Sequence, residues 1–228
     1  MLRLAAHELR AHIGVLAGYT DMLDDPAVRD HPGRRAKAMA AMRTQLDSLR
    51  QMADHLVHSA LPSTGADALA YEPVILDIST AAVEALAICN DLAGQRGITL
   101  VCDSLQLGDP LVRGDRFHLV TAMRNLLENA CRYGPEGGTV RLSLARRDGE
   151  VEVLVHDQGE GLRRVGDSAF SPFTRGSGAV DAAPAGLGLG LSLVAQVAEL
   201  HGGLAVWGED EDGAVIGFRF PAPAPTAA

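Results

Sequence analysis

Four short segments of the chain concentrate residues with chemical potential. They are His7-Glu8-Leu9-Arg10, Asn125-Leu126-Leu127-Glu128-Asn129-Ala130-Cys131-Arg132-Tyr133, Asp157-Gln158-Gly159-Glu160-Gly161 and Gly186-Leu187-Gly188-Leu189-Gly190-Leu191-Ser192. A neutral imidazole is a competent nucleophile near neutral pH. Glu8, beside His7, is placed to accept a hydrogen bond from one ring nitrogen, fixing the tautomer and leaving the other lone pair free. Alone, a histidine next to a glutamate on a helix is the ordinary pattern of a solvated face. The string His-Glu-Leu-Arg-Ala-His also brings a zinc protease to mind, but that motif needs histidines four apart. His7 and His12 are five apart, which turns them roughly 140° from each other on a helix, so one metal does not take both.

The other three segments have the chemistry of a nucleotide site. Asn125, Asn129 and Arg132 or Tyr133 share one face of a helix at 3.6-residue spacing. Amide oxygens suit Mg²⁺, which keeps several waters when it holds phosphates, and Arg132 offers charge to a phosphate. Asp157 has the strand parity of Val151, Val153 and Val155, so its carboxylate points inward and needs a partner there. The exocyclic amine of adenine is such a partner, and Gly159 and Gly161 let the backbone turn sharply beside it. The run from Gly186 to Gly190 precedes a helix, where exposed backbone N–H groups and the helix start favour anions. It comes too late in the chain, and after a loop rather than a first strand, to be a dinucleotide fingerprint. Between these segments, residues 162–185 are rich in Gly, Ser and Ala and read as a mobile cover. Phe170 and Phe173 would anchor it, with Arg175 reaching the phosphates.

The elements that must position these groups follow from periodicity. Leu2, Ala6, Leu9, Ile13, Leu16, Thr20 and Leu23 form one apolar stripe, and Met39, Met42, Leu46, Leu49, Ala53, Leu56 and Ala60 another. Both are seams of a helical bundle. Two helices bury little, so a dimer closing a four-helix bundle is the expected solution. His7 lies beside the first seam and faces solvent. After a linker at Leu61-Pro62-Ser63-Thr64-Gly65 the pattern changes. It gives an Ala-rich helix near 74–96, a strand at Ile98–Cys102, and a helix capped by Asp115 and running to Tyr133. Hairpins turn at Asp148-Gly149 and Asp212-Gly213, and a helix runs from about Leu189 to Leu200. Strands in pairs among helices predict a layered α+β domain. The Pro- and Ala-rich tail reads as disordered.

Composition excludes several classes. The net charge is −9, with Lys37 the sole lysine and no basic stripe, which argues against nucleic acid as a partner. No apolar run approaches the ~20 residues that span a bilayer, and the first residues read as an amphipathic helix rather than a signal peptide. Cys89, Cys102 and Cys131 are scattered and odd in number, as in a reducing cytoplasm. The short lead before His7 suggests a piece of a longer protein.

Taken together and in this order, the segments resemble the two-component sensor histidine kinases. His7 to Arg10 looks like their H box and Asn125 to Tyr133 their N box. Asp157 to Gly161 looks like the G1 box, Phe170-Ser171-Pro172-Phe173 the F box, and Gly186 to Leu191 the G2 box. The resemblance implies a dimerization and histidine-phosphotransfer hairpin at 1–61, a linker at 62–71, and an ATP-binding domain at 72–222, with a tail at 223–228. That domain would be an α/β sandwich with a mixed sheet, of the type shared with gyrase, Hsp90 and MutL. It further implies that His7 attacks the γ-phosphate of ATP with help from Glu8 and that Asn129 coordinates Mg²⁺. Asn125, Arg132 and Tyr133 would lie near the phosphates, and Asp157 would bind the adenine amine. Gly159, Gly161, Gly186, Gly188 and Gly190, with Leu187 and Leu189 between them, would shape the cover and its hinges. The implied partners are a second copy through residues 1–61 and the receiver domain of a response regulator.

The chain departs from that pattern at two positions. Ala11 and His12 stand where the family usually has Thr or Asn, then Pro. The Thr or Asn helps place the water that removes phosphate from the regulator, so weak phosphatase activity is expected. The missing proline predicts a straighter first helix. Two rivals remain at this level. One is a degenerate kinase acting as scaffold or relay, which would need no nucleotide site. The other is a gyrase- or Hsp90-like ATPase using Glu128 as base, which would leave the His7 helix unexplained.

Overall fold

Leu2–Asp24 forms α1, which continues without interruption through Ala11 and His12. The computed structural model describes residues 2–59, 71, 73–106, 108–159, 161–162, 166–172, 174 and 188–223. The side chains of His7 and Glu8, and the linker and tail expected at 62–71 and 223–228 apart from Tyr71 and Pro223, lie outside the described residues. Asp25 ends the first helical run by capping a one-turn helix, α2 (Pro26–Arg29), its carboxylate accepting from the Ala27 N–H at 2.8 Å. The sequence reading had a plain connection there. Pro at the first helical position costs no hydrogen bond, so one turn forms before α3 (Pro32–Ser59) begins. α1 packs against α3, and His12 Nδ1 bonds Gln45 Oε1 across the pair. Within one chain the seam is only partly covered: Ile13 remains 51% and Leu46 54% exposed.

The second unit starts with a strand, where a helix was expected. Val74–Asp77 is β1, paired antiparallel with β3 (Leu111–Gly114). β-Branched Val74 and Ile75 favour the ribbon, and Asp77 then caps α4 (Ile78–Gln95) by accepting from the Ser79 N–H at 2.8 Å. β3 carried no strong alternation and was not expected. The main sheet has the order β2 (Thr99–Gln106), β4 (Thr139–Arg147), β5 (Glu150–Asp157), β7 (Ala214–Pro221), β6 (Leu204–Glu209). β2 runs parallel to β4 and the other neighbours are antiparallel. Asp148 and Gly149 turn the β4–β5 hairpin with positive φ of 51° and 81°, the backbone a two-residue hairpin demands.

α4, α5 (Arg116–Tyr133) and α6 (Gly190–Leu200) lie on one face of this sheet. The core joins Ile78, Ala82 and Ala85 of α4, Leu119, Met123 and Leu127 of α5, and Val194 and Val197 of α6 to Leu142, Val153 and Phe218 of the strands. The small residues of α4 let that helix approach closely. The result is a two-layer α/β sandwich with a mixed sheet beside a helical hairpin. Among the described residues no helix is long and apolar enough to cross a membrane.

A buried histidine ties the ends of two helices together. His201 follows α6. Its Nδ1–H donates to the Val197 carbonyl at 2.7 Å, and its Nε2 accepts from the Asp115 N–H at 3.1 Å. The Asp115 carboxylate caps α5 through the His118 N–H at 3.1 Å. Tyr71, entering from the linker, meets the His201 ring edge-on with centroids 5.2 Å apart. Both ring nitrogens are used by the neutral form, and burial pushes the His201 pKa down. The folded chain therefore takes up this proton at lower pH than the unfolded chain does. The contribution is complete at neutral pH and is lost as pH falls through the ordinary imidazole range. We expect the melting temperature to drop between pH 7.5 and 5.5, at about 2–4 °C per kcal/mol for a chain of this size. Scanning calorimetry should show a shallower drop in His201→Gln.

Candidate functional site

α5 is the spine of the site because its two faces are used differently. One face supplies Leu119, Met123, Leu126 and Leu127 to the core. The other carries Asn125 and Asn129, one turn apart. Asn125 is buried, and its amide nitrogen donates to the Thr121 carbonyl at 2.8 Å, which turns its oxygen away from the helix backbone. That oxygen faces the first residue of α6. A Cβ added to Gly190 would lie 3.1 Å from Asn125 Oδ1 and 3.6 Å from Asn129 Nδ2, so glycine is what admits the α6 start against the asparagine pair. Asn129 is half-buried and makes no hydrogen bond among the described residues, leaving its amide for a ligand.

α6 begins after Gly188, at φ 67°, and the buried Leu189. No side chain caps its first turn, so its leading N–H groups are left for an anion. At the other end of α5, Asp157 closes β5 on the helix-facing side, buried. Its Oδ1 accepts from the Gly159 N–H at 2.6 Å, and a Cβ added to Gly159 would stand 2.6 Å from the same oxygen. Gly134 ends α5 where a Cβ would meet the Ala130 carbonyl at 2.7 Å, and the same position is in ordinary contact with the Asp157 Cβ, at 3.9 Å. Burial pushes the Asp157 carboxyl up, and the Gly159 N–H draws it back. Gly161 has φ 66° and lies against Ala214. The cleft thus runs along α5, with about 13 Å of helix between Asn125 and Gly134.

Of the residues expected from sequence, Asn125, Asn129, Asp157, Gly159, Gly161, Gly188, Leu189 and Gly190 line this cleft or its walls. Arg132 is turned along its own helix, 3.5 Å from Glu128, which also meets Arg124 at 3.7 Å. Tyr133 is half-exposed at the α5 end. Phe170 ends a 3-10 turn, Gly166–Phe170, whose Asp167 accepts from the Trp207 indole N–H at 2.7 Å. Phe173, Arg175, Gly186 and Leu187 lie outside the described residues. Thr121 was missed: its carbonyl sets the Asn125 amide, and the only signal was its position one turn earlier. Arg96 was missed too. Its guanidinium donates to the carbonyls of Cys131 and Arg132, the latter at 2.6 Å, capping the C-terminal end of α5. Burial pushes the Cys131 thiol up to about 11, so it stays protonated and takes no part as a nucleophile.

The donor set bears on a metal. Among the described residues no cluster of His, Cys, Asp and Glu forms a cage. One amide oxygen beside an anion-binding helix start fits a hard cation held mostly by phosphate and water, as Mg²⁺ is.

Comparison with known proteins bears on the fold and on the family of the second unit. Residues 114–224 match the profile of the histidine kinase-, DNA gyrase B- and HSP90-like ATPases. The chain is 30% identical over 235 residues to the adaptive-response sensory kinase SasA of Synechococcus sp. (strain CC9311), covering 97% of this chain and 56% of that one. It spans about half the length, or less, of the curated relatives it matches. Among solved structures, the Acinetobacter baumannii histidine kinase AdeS superposes with a TM-score of 0.70 at 19% identity, over 96% of this chain and 98% of that chain. The histidine kinase ThkA, in complex with the response regulator protein TrrA, does so with a TM-score of 0.70 at 20% identity, over 97% of this chain and 61% of that one. Both structural likenesses show the fold. The tight fit at Gly159 makes a prediction: Gly159→Ala displaces Asp157 Oδ1, and ADP affinity by calorimetry falls about tenfold, some 1.4 kcal/mol. Unchanged affinity would exclude Asp157 from the nucleotide contact.

Proposed function

We propose that this chain, which belongs to the histidine kinase-, DNA gyrase B- and HSP90-like ATPases through residues 114–224 and sides within them with the sensor histidine kinases, moves the γ-phosphoryl group of ATP onto its own His7. The observation that carries the reading is the pairing of two ends of one cleft. A buried carboxylate, Asp157, stands at one end, and an uncapped helix start against Asn125 and Asn129 stands at the other. Asp157 accepts from the adenine amine. The α6 N–H groups hold phosphate oxygens, and the Asn129 oxygen would hold Mg²⁺, which when bound would offset phosphate charge. Arg132, Tyr133, Phe170, Phe173, Arg175, Gly186 and Leu187 join the site by resemblance. A His7 ring nitrogen attacks the γ-phosphorus, the bond to the bridging oxygen breaks and ADP leaves. Glu8 orients the ring. Positioning and charge do most of such work.

The exposed Ile13, Met39 and Leu46 on α1 and α3 support a homodimer through residues 1–61. Phosphate then passes to an aspartate of a response regulator receiver domain docking near Ile13, Leu16 and Tyr19. The ThkA complex supports a regulator at a chain of this fold. This places the reading in the cytoplasm, where such regulators act. The ATPase alternative loses ground because the Glu128 carboxylate is engaged along its own helix, 3.7 Å from Arg124 and 3.5 Å from Arg132. With γ-labelled ATP and Mg²⁺, we expect acid-labile, base-stable label that vanishes in His7→Gln and in Asp157→Asn. Free phosphate without label would favour the ATPase, and absence of nucleotide binding the scaffold.

Ala11 is exposed, and His12 is engaged with Gln45. Neither offers a hydroxyl or amide to hold a hydrolytic water. We expect little loss of phosphate from the phosphorylated regulator when chain and ADP are added, and a gain of at least about tenfold, roughly 1.4 kcal/mol, in Ala11→Thr. Rapid dephosphorylation by the unaltered chain would refute this.

A further inference from the structure

The sheet face turned away from the helices carries a chain of three side chains. Ser143 Oγ lies 2.9 Å from His156 Nε2, and His156 Nδ1 lies 2.7 Å from Asp210 Oδ2. The residue types are those of a nucleophilic triad. Ser143, however, is in the middle of β4, paired with Asp103 of β2 on one side and Leu154 of β5 on the other. A strand interior offers no converging pair of free N–H groups for an oxyanion, so hydrolysis is not its use.

Asp210 has a second set of contacts. Its Oδ1 accepts from the N–H groups of Asp212 and Gly213 at 3.0 and 3.1 Å, and its own N–H donates to the Gly213 carbonyl at 3.0 Å. One carboxylate therefore closes the β6–β7 turn while holding His156. That turn lies against the backbone of Asp157. A Cβ on Gly213 would lie 2.3 Å from the Asp157 carbonyl oxygen, and Ala214 is in register with Asp157 and in contact with the Gly161 position. His156 is the residue before Asp157, on the opposite face of the same strand. The pair thus ties the strand residue next to Asp157 to the turn that lies against the Asp157 carbonyl.

We propose that the His156–Asp210 pair is a positioning element that sets the Asp157 loop and with it the adenine selectivity of the site, an inference resting on the role of Asp157 proposed above. Charge works in the same direction. Asp210 raises the Asp157 carboxyl and His156 lowers it, so the bonded pair presents a smaller net field than Asp210 alone. Arg141, 3.5 Å from Asp212, is the other charged group paired with the turn. A site built around an amine donor discriminates against a base that lacks it. A misplaced carboxylate loses that discrimination while keeping contacts to the phosphates.

The test is calorimetric titration of the full chain with ADP and with inosine diphosphate, whose base has an oxygen in place of the amine. His156→Gln and Asp210→Asn should each weaken ADP binding about fivefold, near 1 kcal/mol, and inosine diphosphate binding by less than about twofold. Asn at 210 keeps an acceptor for the turn, so it carries the test if His156→Gln unfolds the domain, as a thermal melt will report. Equal weakening of both nucleotides, or of neither, overturns the proposal. Asp157→Asn is the separate control. If it leaves the preference for ADP intact, the role of Asp157 itself fails, whatever the other variants do.

Discussion

Everything at the cleft depends on one constraint: α5 must be buried and open at once. Its apolar side fills the centre of the sandwich, with Leu119, Met123 and Leu127 almost wholly excluded from water. Its polar side must keep two amides within reach of a ligand. The helix resolves this by securing Asn125 internally, through the Thr121 carbonyl, and leaving Asn129 to the cleft. A helix fixed by its core contacts does not shift when a charged ligand arrives, so the amides are preorganised rather than recruited. Both helix ends are secured as well, by Asp115 at the start and by Arg96 and Gly134 at the finish.

Glycines then serve as clearances rather than hinges. Gly190, Gly159 and Gly134 each stand where a methyl group would strike Asn125, Asp157 or the Ala130 carbonyl. At Gly190 and Gly159 the backbone approaches a side chain directly. Among the described residues the hydrogen-bond partner of the buried Asp157 carboxylate is a backbone N–H, that of Gly159. A carboxylate with one oxygen engaged by a backbone N–H of its own turn still has acceptor capacity on the other.

Much of this was legible in the sequence. The period of 3.6 through Met123, Leu126 and Ala130 separates the asparagine face from the core face, and the parity of β5 turns Asp157 inward, both as found. Capping by Asp115 and the turn at Asp148-Gly149 followed from local chemistry. What was not legible depends on distant partners. β1 and β3 are short strands stabilised by each other, and neither carries enough alternation to announce itself beside an Ala-rich helix. Arg132 reads as a phosphate ligand from its charge; its place 3.5 Å from Glu128 is an i,i+4 pairing of the kind that helix spacing allows. The Ser143, His156 and Asp210 chain spans two hairpins, and no spacing in the sequence brings those residues together.

Trp207 is the only tryptophan of the chain, and its indole N–H is committed to Asp167, forty residues earlier, at the start of the 3-10 turn that leads to Phe170. An indole on the edge strand β6, bonded to a carboxylate of the 3-10 turn, emits light according to surroundings of which that bond is a part. The chain therefore carries a built-in optical reporter, unobscured by any second tryptophan, at the root of the segment that connects Asp157 to the α6 start. Rearrangements there are open to observation in the unlabelled protein, in real time and at concentrations too low for calorimetry.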